Sequence, residues 1–171
     1  MKQLKLIAII VSAVLLSGCS ALAALTAEDE AESAGYVAEA LASGNIKFEV
    51  NQIMPSQGRT MYSQDGYYLK IVDGKADSHL PFFGVSRNAS AYGTEPSGIR
   101  FESCPIQIDD SRSRADKGHY VWRFIAITGR EKVDVIFDFY ENGTAHLQCK
   151  PANRSIMNYS GKIVWLEEEK K

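Results

Sequence analysis

Between Val133 and Phe139 the chain alternates: Val133, Val135, Phe137 and Phe139 are apolar on one face, with Asp134 and Asp138 on the other. A period of two sends successive side chains to opposite faces, so this is a strand with one face in a core and the other in water. The residues that follow constrain its pairing. If Asn142-Gly143 made a two-residue turn, Phe139 would lie opposite His146, and every rung would join a core residue to a solvent residue. A three-residue loop, Glu141 to Gly143, instead sets Phe139 against Ala145, Phe137 against Leu147 and Val135 against Cys149, all on the core side. It also puts Gly143 at the left-handed position of a type I turn with a G1 bulge, where the missing Cβ removes the steric cost.

The same period recurs elsewhere. Tyr67, Leu69 and Ile71 alternate with Tyr68, Lys70 and Val72, and Tyr120, Trp122, Phe124 and Ala126 alternate with Val121, Arg123, Ile125 and Ile127. Further strands are expected at Ile46 to Met54, Arg59 to Tyr62, Ala76 to Leu80, Ile99 to Ser103, Ile106 to Asp109, Ala145 to Lys150 and Ile156 to Trp165. Turns at Thr128-Gly129-Arg130-Glu131 and Asn153-Arg154 make the last four strands a meander. Roughly nine short strands without an internal helix predict an all-β domain over 46–166: an antiparallel curved sheet, sandwich or small barrel. Residues 167–171 read as a charged tail.

The N-terminus follows another logic. Lys2 and Lys5 precede an apolar run from Leu6 to Leu16 broken only by Ser12, the n-region and h-region of a signal peptide. At about 1.5 Å per residue the run covers only about half of a bilayer core, too little for a permanent span. Leu16-Ser17-Gly18-Cys19 resembles a bacterial lipobox, whose small residues admit a peptidase and whose cysteine thiol takes the lipid. Residues 1–18 are therefore expected to be removed and Cys19 to carry acyl chains. Two or more chains anchor a protein stably, so the membrane contact belongs to the lipid. Ser20 in place of an aspartate resembles an outer-membrane sorting signal.

Residues 19–45 form an alanine-rich tether that can become a short helix. Thr26 with Asp29 three residues on reads as an N-cap with an acidic N3, and Gly44 as a C-cap. Ala34, Val37, Ala38 and Leu41 make a narrow apolar stripe suited to weak docking; a solvated spacer is the other reading. Nineteen Lys and Arg against 21 Asp and Glu leave a net charge of −2. That balance lacks the basic excess on which phosphate-backbone binding rests, so no nucleic-acid partner is expected.

Five segments carry a resemblance: Leu80-Pro81-Phe82-Phe83-Gly84, Gly98-Ile99-Arg100-Phe101-Glu102, Asn142-Gly143-Thr144-Ala145, Asn153-Arg154-Ser155-Ile156 and Tyr159-Ser160-Gly161-Lys162-Ile163. In this order they resemble the domain of unknown function 4251 family of Bacteroidetes lipoproteins and exported proteins, from about Phe48 to Ile163. The resemblance implies an exported, mostly β domain and supplies no activity or catalytic residue.

Catalytic spacing is scarce. His79, His119 and His146 have no ligand spacing to one another, so they read as surface histidines, and no metal or cofactor is expected. Asp77-Ser78-His79 sets acid, hydroxyl and imidazole side by side, but consecutive strand residues face opposite ways and cannot form a relay. Asp109-Asp110 with Arg112, Arg114 and Lys117 reads as a solvated loop of mixed charge; a calcium site is the weaker alternative. Cys104 and Cys149 make a possible disulfide in an oxidising envelope or, alternatively, two buried free thiols. Cys149 has core parity, whereas Cys104 follows Phe101 at the opposite parity.

The aperiodic stretch from Gly84 to Ser97 is the candidate binding loop, with Arg87 and Tyr92 of the types that anchor interfaces. The function expected is that of a non-enzymatic binding module on an envelope lipoprotein, its partner an envelope protein or glycan. One alternative is a carrier or chaperone enclosing apolar ligands within the aromatic face of Tyr67, Trp122, Phe124, Phe137, Phe139, Tyr159 and Trp165. A cryptic hydrolase is the least supported.

Overall fold

A computed structural model describes residues 18–63, 66–85, 98–128, 131–164 and 166, with side chains from Ala31 onward. Helix α1 runs from Gly18 to Ser43 and is followed by nine strands: β1 (Ile46–Pro55), β2 (Met61–Tyr62), β3 (Tyr68–Val72), β4 (Lys75–Pro81), β5 (Gly98–Pro105), β6 (His119–Ile127), β7 (Lys132–Tyr140), β8 (Thr144–Pro151) and β9 (Met157–Val164). The chain divides into two units, Met1–Glu32 and Ser33–Lys171. The second holds the last turns of α1 and every strand.

All pairings are antiparallel, in the order β5-β4-β3-β1-β9-β8-β7-β6, with β2 on the free part of β1. The sheet is a nearly closed barrel, which decides among the three architectures that alternation left open. Its two end strands approach each other where the Cys104 thiol donates to the Ile127 carbonyl, 3.5 Å apart. Backbone bonds from Asp109 to Arg123 and from Arg114 to His119 cover the first part of the β6 edge and protect it from pairing with another chain.

The β7–β8 register joins Phe139 to Ala145, Phe137 to Leu147 and Val135 to Cys149, as core parity requires. Gly143 has φ 78°, the left-handed geometry of that loop. All four apolar residues of the β7 alternation are buried. Inside the sheet, Trp122 meets Phe139 with centroids 5.1 Å apart, Phe137 meets Phe139 at 5.1 Å and Phe48 meets Phe137 at 5.4 Å. These rings pack on one another, which accounts for the aromatic face as core. Trp165 lies outside the described residues.

Two bulges break the alternation. Between Val50 and Gln52, β1 carries one residue more than β9, and Gly161 sits opposite the break. Between Phe101 and Cys104, β5 carries one residue more than β4, with Ser103 at φ 45°. The extra residue turns Cys104 inward beside Ala76, so the parity conflict at Cys104 is resolved by the backbone.

Other expectations need correction. Ile106 to Asp109 is no strand: Ile106 bonds back to Gly74, and Asp109 makes only an isolated bridge. Helix α1 begins at Gly18, ahead of the expected cap at Thr26. Its buried face is Ser33, Val37 and Ala40, while Ala38 and Leu41 face solvent. The reason is steric: a Cβ on Gly143 would lie 2.5 Å from the Ser33 Cβ, so the helix lies against the β7–β8 turn with a small side chain at the contact. Gly44 ends the helix at φ 72°, and its N–H donates to the Ala40 carbonyl at 2.8 Å.

Candidate functional site

The ends of the candidate binding loop meet the β8–β9 turn. Strand β4 delivers Leu80 into the core and ends at Pro81, whose carbonyl accepts a 2.7 Å hydrogen bond from the buried Tyr159 hydroxyl of β9. Phe82 then packs half-buried against the core, and Phe83 is 46% exposed, so neighbouring rings serve the core and the surface. Val85 is exposed.

One turn holds both sides of this loop. Ser155 accepts the Val85 N–H on its hydroxyl oxygen at 3.1 Å and donates its own backbone N–H to the Val85 carbonyl at 3.0 Å. Beside it, the Arg154 guanidinium donates to the Gly98 carbonyl at 3.0 Å and lies 4.7 Å from the centroid of the Phe82 ring. Its remaining face makes a two-pronged ion pair with Glu131. Glu131 is itself placed by the β6–β7 turn, where Thr128 and Glu131 exchange hydrogen bonds. Gly84 is required by space, since a Cβ there would lie 2.9 Å from both Phe82 and Ser155.

A planar guanidinium suits this position because it can bind a carboxylate with two parallel N–H groups, donate to a carbonyl and stack on a ring at once. Both partners are mostly buried, so solvent screens the pair weakly. Burial pushes the Tyr159 phenol up, the nearby Cys149 adds to the shift and Arg154 opposes it. Burial likewise pushes the Cys149 thiol up, again against the pull of Arg154. Neither group is poised as a nucleophile.

Arg87 and Tyr92 lie outside the described residues. Cys19 falls on the first turn of α1, with its side chain outside them. Cys104 and Cys149 are both buried and free, so the possible disulfide does not form. Cys104 meets Ile127 on β6, whereas Cys149 sits on the rung of Val135 and Phe124, two strands further round.

Asp77, Ser78 and His79 separate as strand parity demands. Ser78 points inward and donates to the Ile99 carbonyl at 3.0 Å, Asp77 accepts the Ser103 N–H at 2.7 Å and supports the β5 bulge, and His79 meets Arg100. Asp109 accepts from Ser111, whose side-chain and backbone hydrogen bonds lower its pKa. No group of three potential metal ligands occurs among the described residues.

Sequence reasoning read Asn153-Arg154 only as a turn. Arg154 finds Glu131 at 23 residues' separation and Gly98 at 56, and no local spacing announces partners so distant. A signal was present in another form, because the Leu80–Gly84, Gly98–Glu102 and Asn153–Ile156 segments that carried the family resemblance all meet here.

Residues 28–163 match the family described as Domain of unknown function (DUF4251). The chain belongs to the DUF4251 family. The match takes in the second half of α1, about 20 residues ahead of the span read from the motifs. The fold is similar to the crystal structure of a DUF4251 family protein from Bacteroides eggerthii DSM 20697: TM-score 0.58 and 17% identity, covering 81% of this chain and 91% of that one. No curated protein matches this DUF4251 chain.

Proposed function

We propose that this DUF4251 protein is a lipid-anchored envelope protein whose β domain is a non-enzymatic binding module, presenting its loop-bearing end to an envelope protein or glycan. The observation that carries the reading is the double hold of Arg154 and Ser155 on the segments bordering residues 86–97. A binding loop gains affinity when the base that carries it is fixed beforehand, because less ordering remains to be done on association. Exposed Phe83 and Val85 supply apolar surface next to that base. The lipobox ending in Cys19 motivates the anchor.

The loop is tested by replacing Arg87 and Tyr92 together with alanine. Stability should change by less than about 0.5 kcal/mol, as for surface residues generally, while capture of the envelope partner falls. Unfolding at much lower temperature would make the loop a packing element, and unchanged capture would remove it as a site. The anchor is tested separately by Cys19→Ala in cells fed a labelled fatty acid; equal labelling and membrane retention in the variant would refute it.

A further inference from the structure

The outer face holds a second arginine in a very different setting. Register places Glu49 of β1, Tyr68 of β3, His79 of β4 and Arg100 of β5 in one row across four strands. The residues on either side of Glu49, His79 and Arg100 are buried, and Tyr68 lies between half-buried Tyr67 and buried Leu69, so these four side chains stand on the outside. Directly opposed residues lie about 5 Å apart, close enough for side chains to touch. Arg100 donates to the His79 imidazole Nε2 at 2.7 Å. Two tyrosine rings meet the imidazole edge-on, Tyr67 at 5.4 Å and Tyr68 at 6.3 Å between centroids.

A guanidinium is always a donor, so Nε2 is the acceptor in this bond. The bond holds Arg100 through an acceptor that is not a carboxylate. Arg154 shows the contrast: its charge is met by Glu131 and its other N–H groups are used on Gly98, whereas Arg100 forms no ion pair among the described residues. Asp77 is committed to the Ser103 amide, and Glu102 and Glu49 form no contact with the guanidinium among the described residues. Lys70, two residues from Tyr68, adds positive charge on the same face.

A guanidinium held in place, with no ion pair and most of its planar N–H fork open among the described residues, matches two oxygens of a phosphate, sulfate or carboxylate. We propose that Arg100 is the anchor of an oxyanion-binding site on the outer face of β3–β5, with His79 as its positioning residue and Tyr68 as the ring beside it. The site is independent of the loop reading and of the lipid anchor.

The full chain is titrated with inorganic phosphate, sulfate and acetate at fixed pH and ionic strength, with chloride as reference, following the amide resonances of β4 and β5. A saturable shift with one or more oxyanions and none with chloride is expected; saturation by phosphate and sulfate alone assigns a tetrahedral group, and saturation by acetate as well extends the site to carboxylates. Affinity should fall about tenfold or more in Arg100→Ala, consistent with loss of charge-assisted hydrogen bonds, and part of it should return in Arg100→Lys. His79→Ala should weaken binding, and His79→Gln, which retains an acceptor for the guanidinium, should restore it. Identical drift with chloride, or saturation unchanged in Arg100→Ala, overturns the site. Equal affinity in His79→Ala overturns the positioning role.

Discussion

The two halves of the barrel wall are built by different rules. From β6 to β9 the register runs without a shift through three successive pairings, and the alternating apolar residues of β7 and β8 all point inward. From β1 to β5 the wall carries both bulges, the left-handed residues Asp73 and Ser103, and the two-residue β2. An inserted residue bends and twists a strand and exchanges its faces beyond the insertion. The regular half is therefore legible residue by residue, while the bulged half supplies curvature that lets one sheet turn back on itself. The proposed sites also belong to the bulged half: the loop leaves β4 and returns to β5, and Arg100 stands on β5 just before its bulge.

The seam between the halves is the most sensitive place to break this contrast. A Cβ on Gly161 would lie 1.8 Å from the Glu49 carbonyl, backbone against backbone, at the β1 bulge. Gly161→Ala should cost more than about 3 kcal/mol, the upper end of ordinary overpacking, and urea unfolding should find little stable protein. A near-normal midpoint would mean that β1 and β9 can separate there without loss. Next in size is Gly143→Ala in the regular half. Left-handed strain of roughly 1–2 kcal/mol adds to displacement of Ser33, so a loss of about 2 kcal/mol is expected, with hydrogen exchange rising in the last turns of α1.

Tyr159 and Cys149 couple the interior to pH. Burial holds both protonated in the folded chain beyond about pH 10 and about pH 8.5, where they ionise when unfolded. Their contributions are complete below those values and are lost as pH rises above them, so stability should decline from about pH 9 upward in denaturant titrations. Tyr159→Phe should remove the tyrosine share of that decline and lose about 1 kcal/mol at neutral pH with the bond to Pro81. Smallest is Asp77→Ala, which removes the carboxylate that accepts the Ser103 amide and should cost about 1 kcal/mol or less at this exposed bulge. Faster exchange of the Ser103 amide in Asp77→Ala, but not in Asp77→Asn, would localise the effect to the bulge; equal exchange in both would assign its stability to other contacts.

The expectations that failed share one physical cause. Hydrophobicity alone favours the stripe Ala34, Val37, Ala38 and Leu41, whereas the docked face uses Ser33 because the Gly143 turn leaves room for little else. Ile106 to Asp109 has the composition of a strand, but its backbone instead turns to Gly74 and to Arg123 on the β6 edge. Cys104 looked misplaced until Ser103 took up a left-handed conformation supported by Asp77. In each case a neighbour distant in sequence overrode a local pattern.

By itself the sequence determined the alternating strands, the three-residue loop at Gly143, the β7–β8 register and the closing glycine of α1. These follow from side-chain period and backbone sterics within a few residues, which need no knowledge of the rest of the chain. Tertiary structure alone decided that the sheet curls into a nearly closed barrel, that two bulges set its curvature, that Arg154 gathers Glu131, Phe82 and Gly98, and that Arg100 meets the His79 imidazole. Those outcomes depend on which strands become neighbours, and strand neighbours are chosen by the burial of the whole inner face, a property that no short stretch of residues contains.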